Sequence, residues 1–90
     1  MSIHRRAAKR DASEPGIVDA LQAVGAHVER LSLPVDLLVH FRGHWHLLEV
    51  KTPGVRPDKR QLAQHRFCAE FSVPIITTPA EALRAIGAAT

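Results

Sequence analysis

The chain has 90 residues, 46% hydrophobic and 23% charged, the balance of one small globular domain and not of a disordered chain. A net charge of +3 favours an anionic partner, nucleic acid above all. No apolar run reaches the roughly 18 residues of a membrane span, the basic N-terminus lacks a secretory core, and Cys68 is the single cysteine, so a cytoplasmic protein without disulfides is expected.

In chain order, residues 1–12 form a basic arm whose Arg5, Arg6, Lys9 and Arg10 suit contact with phosphate, and residues 13–90 form the domain. Ser13 as N-cap, Pro15 in the first turn, apolar Ile17, Val18, Leu21 and Val24, and Gly25 as C-cap predict a helix over 14–25. A short strand over 26–31 is broken by Ser32-Leu33-Pro34. Two strands follow, 35–41 and 44–51, and then a loop rich in breakers over 52–57. A second helix opens at Pro57 or Asp58 and runs to Phe71, with Leu62, Phe67, Ala69 and Phe71 as its apolar face. A strand over 73–77 and a helix over 80–88, with Leu83 and Ile86 inward, complete the chain. The order α-β-β-β-α-β-α predicts an α/β fold with a mixed sheet flanked by helices.

Charged residues interrupt the two central strands. A two-residue loop at Arg42-Gly43 places Asp36 opposite Glu49, with Cβ atoms roughly 4.5–5.5 Å apart. Lys51 shares that face with Leu38, His40, Trp45 and Leu47, because side chains alternate with period two. Val35, Leu37, Val39, Phe41, Leu48 and Val50 form the opposite, core face. A four-residue loop keeps this register, whereas a three-residue loop slips it by one and separates the acids. Arg-Gly is a weaker turn pair than Asn-Gly. Two facing carboxylates repel, so a cation belongs between them: either Lys51 or a divalent metal. Mg²⁺ takes one or two carboxylates plus waters and phosphate oxygens, and the Val50 carbonyl is a further donor. Lys51 is then placed to orient an attacking water and steady phosphorane charge. On spacing alone, a surface hairpin with a cross-strand ion pair fits equally well.

The segments Arg10-Asp-Ala-Ser-Glu-Pro-Gly-Ile-Val18, Asp36-Leu-Leu-Val39, Phe41-Arg-Gly43, Leu47-Leu-Glu-Val-Lys51, Gln64-His-Arg-Phe67 and Pro79-Ala-Glu-Ala-Leu-Arg-Ala-Ile-Gly87 carry a resemblance. Over about residues 8–87 the chain resembles the PD-(D/E)XK nuclease superfamily, and within it the small stand-alone VRR-NUC nucleases, many of them from phages. The resemblance implies a restriction-endonuclease-like fold, a Mg²⁺ or Mn²⁺ cofactor, DNA as substrate, a homodimer, and in some members action on four-way junctions. It implies that Asp36 and Glu49 bind metal and that Lys51 assists catalysis. Glu14 matches the acid of the first helix, on the metal side, and Gln64 matches the glutamine of the helix after the lysine strand. Two departures stand out. Val35 separates Asp36 from Pro34, where the family has Pro-Asp, and Gly16 stands where many relatives carry a second acid.

His40, His44, His46 and Cys68 match no zinc spacing. Trp45 reads as a core or dimer-contact residue. Arg56, Lys59, Arg60 and Arg66 are suited to backbone phosphates. The expectation is a divalent-metal-dependent DNA endonuclease in the cytoplasm of a bacterium or phage-infected host. The alternative is a non-catalytic DNA-binding module that keeps the fold.

Overall fold

The computed structural model describes residues 11–89, so the basic-arm residues Arg5, Arg6, Lys9 and Arg10 lie outside the described residues. The elements are α1 (Glu14–Ala23), β1 (His27–Arg30), β2 (Leu37–Phe41), β3 (His44–Val50), α2 (Lys59–Phe71), β4 (Ile75–Ile76) and α3 (Pro79–Ala85). This is the expected order. The strands form one sheet in the order β1-β2-β3-β4, antiparallel across the first three and parallel between β3 and β4.

One face of the sheet is the hydrophobic core. Leu37, Val39, Phe41, Leu48, Val50 and Ile76 meet Ile17, Val18 and Leu21 of α1, Ala82 of α3 and Ile86 at its C-cap. Alternation along β2 is strict, with Leu37, Val39 and Phe41 buried and Leu38 and His40 half-buried. Each fully buried Leu or Ile contributes roughly 1.5–3 kcal/mol relative to exposure, so this face dominates stability.

Two local expectations are corrected. Ser13 precedes α1 but makes no side-chain cap bond, because its backbone is already helical (φ −76°, ψ −18°) instead of extended. Its N–H instead meets Thr52 Oγ1 at 3.3 Å, pinning the head of α1 to the residue after Lys51. The expected apolar face of α2 is not a buried face. Leu62, Ala69 and Phe71 are exposed and Phe67 is half-buried, while Gln64 and Cys68 are the buried residues. At ~100° per residue, Leu62 and Ala69 project opposite Phe67 and Phe71, so these four never shared one stripe. α2 starts at a capping box in which Asp58 accepts from the Gln61 N–H at 2.8 Å and Gln61 Oε1 accepts from the Asp58 N–H at 2.9 Å. That accounts for Gln61.

The β2–β3 register is the one the sequence implies, with Phe41 paired to His44 and Leu37 to Leu48. Arg42 and Gly43 both have positive φ, 50° and 82°, the signature of a type I′ turn. A Cβ at Gly43 meets nothing within 4 Å, so Gly43→Ala is a purely backbone penalty. It is expected to cost about 1–2 kcal/mol, read as a fall of several degrees in thermal midpoint. Arg42→Asn is expected to be near neutral in the same melt. Asn relieves about 1 kcal/mol of left-handed strain but gives up the Arg42 guanidinium, 4.8 Å above the Phe41 ring, worth about 0.5–1 kcal/mol.

Candidate active site

The face of the sheet opposite the core carries the acids. Regular pairing ends at Leu37–Leu48, one residue short of Asp36 and Glu49. Asp36 sits in the bend leading into β2, and its Oδ2 accepts the Val50 N–H at 2.9 Å. The carboxylate thus takes the place of the next ladder carbonyl, which fastens it beside Glu49 with no strand residue opposite. In a strand the N–H and C=O of one residue point to the same side, so the Val50 carbonyl is on the Asp36 side. On its other edge β3 is laddered to β4: Glu49 N–H meets Pro74 O at 3.0 Å and Lys51 N–H meets Ile76 O at 2.9 Å. The alternation therefore holds through Lys51, which is exposed on the acids' face at the strand's end.

Glu49 is 1% exposed, and its Oε1 has no hydrogen-bond partner among the described residues. Burial, then the Asp36 charge and a hydrogen bond shared with the Asp36 side chain, push the Glu49 carboxyl up to about 8. Asp11 adds a smaller push in the same direction. With its carboxyl raised to about 8, Glu49 keeps its proton at neutral pH beside Asp36 unless a cation is supplied. Burial, then the charges of Glu49 and Asp36, push the Cys68 thiol up to about 11, which places Cys68 under the same pair as an inert thiol.

α2 lies over this face, and two of its residues divide the work. Gln64 is buried and its Nε2 donates to the Ser32 carbonyl at 3.1 Å, tying α2 to the β1–β2 connection. The next residue, His65, brings Nε2 to 3.8 Å from Glu49 Oε2. Glu14, at the head of α1, is 1% exposed and paired with Arg30 of β1, Nε to Oε2 at 3.2 Å. Arg56, Lys59, Arg60 and Arg66 are all exposed. At ~100° per residue, Lys59 and Arg66 lie opposite the Gln64–Cys68 line, so they face solvent beside the acids without lining them.

Of the hairpin's other residues, Trp45 departs from expectation. Trp45 is 61% exposed, so it is no core residue, and its ring meets His40 edge-on at 4.6 Å. His44 is exposed at the hairpin tip, and His46 is half-buried, with its imidazole pKa lowered by burial and the nearby His44. Sequence reasoning passed over Asp11 and His65. Asp11 had no signal beyond an acid just ahead of α1. His65 was readable: Gln61, Gln64 and Cys68 fall on one side of a helix, and His65 borders that side.

Two neighbouring carboxyls, one carrying a buried oxygen that lacks a hydrogen bond, with a backbone carbonyl alongside, are a donor set that suits a divalent cation. Among the described residues, no three His, Cys, Asp or Glu side chains are already gathered as a metal cage. No helix of the described residues is long and apolar enough to cross a membrane. Comparison of the chain with protein-family models, with curated proteins and with solved structures gave no match.

Proposed function

We propose that this chain is a divalent-metal-dependent DNA endonuclease that hydrolyses phosphodiester bonds and works as a homodimer on DNA, including branched DNA. One observation carries the reading: Asp36 and the buried Glu49 are held side by side at the end of the β2–β3 pair, with Lys51 on the same face. Pushing an acid up to about 8 is costly as pure architecture and useful as a cation site. The resemblance of Asp36, Glu49 and Lys51 to the VRR-NUC pattern supports the same reading.

Asp36, Glu49 and the Val50 carbonyl would hold the ion, and Glu14 would act from the head of α1. Bound Mg²⁺ or Mn²⁺ supplies a Lewis acid toward the phosphate and a more acidic water. Asp36 is fixed by the Val50 N–H, so its free edge is pre-aimed. Lys51 makes no salt bridge among the described residues, and its ammonium is available to orient water and to steady charge on the phosphoryl oxygens. Gln64 holds α2 against the site through Ser32. Arg56, Lys59, Arg60 and Arg66 supply phosphate contacts that set affinity and not sequence choice.

The alternative, a non-catalytic DNA-binding module, is favoured by the proton that Glu49 keeps at neutral pH. A protonated Glu49 bonded to Asp36 holds the pair together with no cation. The assay that decides is incubation of purified protein with plasmid, single-stranded, flapped and four-way-junction DNA in Mg²⁺ or Mn²⁺. Cutting that chelator abolishes supports the endonuclease; binding without cutting on every substrate supports the module.

A further inference from the structure

We infer that His65 is a metal ligand of the Asp36–Glu49 site and that it sets the site's preference toward Mn²⁺ over Mg²⁺. The inference rests on the metal-site reading above and extends it to a residue and a metal choice.

The geometry comes first. His65 Nε2 stands 3.8 Å from Glu49 Oε2. That is too long for a hydrogen bond, which ends near 3.5 Å, yet shorter than the ~4.2 Å that two metal–donor bonds of ~2.1 Å can span. A nitrogen and an oxygen at this spacing bracket one ion. The imidazole is 21% exposed and lies on the inward border of α2, so it reaches the acids from the open side of the sheet.

The rest of α2 leaves this task to His65. Gln64 Nε2 donates to the Ser32 carbonyl, which turns that amide toward the β1–β2 connection. Gln61 is committed to the capping box with Asp58. Cys68 is buried, with its thiol pushed up to about 11, so it does not offer a thiolate. Glu49 meanwhile keeps a buried Oε1 with no hydrogen bond among the described residues. An ion that draws His65 inward by a small side-chain rotation would answer that deficit, completing a cage that the side chains do not yet form.

The chemistry then selects the metal. Mg²⁺ takes oxygen ligands almost exclusively and sheds water reluctantly, whereas imidazole nitrogen is an ordinary ligand for first-row transition ions. A two-carboxylate site with a carbonyl suits either ion. One imidazole added to it tips the balance to Mn²⁺.

The test is spectroscopic and needs no cleavage. Mn²⁺ is titrated into wild type and His65→Gln by calorimetry, and the bound Mn²⁺ is examined by pulsed electron paramagnetic resonance for nitrogen coupling. The wild type is expected to bind Mn²⁺ more tightly than Mg²⁺ and to show one imidazole coupling. His65→Gln is expected to lose that coupling and about tenfold of Mn²⁺ affinity, with Mg²⁺ affinity little changed. Bound Mn²⁺ in wild type without nitrogen coupling, or coupling that survives in His65→Gln, overturns the role of His65 and leaves the metal site standing. No Mn²⁺ or Mg²⁺ binding by wild type overturns both. Should His65→Gln fold poorly, the wild-type spectrum alone decides.

Discussion

Lys51→Ala is expected to lower metal-dependent DNA cleavage by about 10²–10⁴-fold while leaving the thermal midpoint unchanged. Lys51 is exposed, makes no salt bridge among the described residues, and contributes nothing to the core. Exposed substitutions of this kind shift stability by no more than about 0.5 kcal/mol. A lost rate with an intact melt therefore isolates chemistry from folding. Lys51→Arg is expected to restore only part of the rate, because the wider planar guanidinium does not present a point charge at the ammonium's position. Asp36→Ala should also abolish cutting, but with a second effect. It removes the acceptor of the Val50 N–H and so costs about 1–3 kcal/mol as well. Asp36→Asn separates the two, since its amide oxygen still accepts that N–H while its charge is gone. Single-turnover cleavage of junction and plasmid DNA, with parallel melts, reads all four variants. Lys51→Ala cutting at the wild-type rate would sink the assignment of this face as an active site.

The hairpin was legible because two independent signals agreed. The apolar alternation of Leu37, Val39, Phe41 and Leu48, Val50 demanded one register, and Arg42-Gly43 allowed a two-residue turn that produced it. What was not legible is how Asp36 departs from strand geometry. Its side chain replaces a ladder carbonyl, a local exchange of backbone for side-chain bonding that periodicity does not encode. α2 failed for a different reason. The apolar residues of α2 do not share one helical face, and its inward side is polar. A helix over a charged site buries what the site needs, so Gln64 and Cys68 are inside and Leu62 and Phe71 are outside.

Glu49→Gln is expected to make the metal-free protein more stable at alkaline pH and at the same time deaf to metal. In the unfolded chain Glu49 titrates near its ordinary 4.5; in the folded protein, burial and Asp36 raise it to about 8. Between those values the folded state holds a proton that the unfolded state has released. Stability from this group is therefore fully present below about pH 4.5 and is lost as pH rises through about 8. Glutamine keeps the shape and never ionises, so the decline should flatten in the variant. Each tenfold of proton affinity is worth ~1.4 kcal/mol, and a buried carboxyl beside a second acid realises only part of that as stability. A gain of roughly 2 kcal/mol at pH 9 is expected, read as about 10 °C in thermal midpoint for a domain of this size. Metal reverses the ranking. Mn²⁺ at about 100 times its dissociation constant should stabilise wild type by about 2.7 kcal/mol, and by nothing in Glu49→Gln, whose neutral amide is a poor ligand. An architectural pair would show the alkaline gain in the variant with no response to Mn²⁺ in wild type. A metal centre shows both, because the strain that costs the empty site its stability is the charge that the ion relieves.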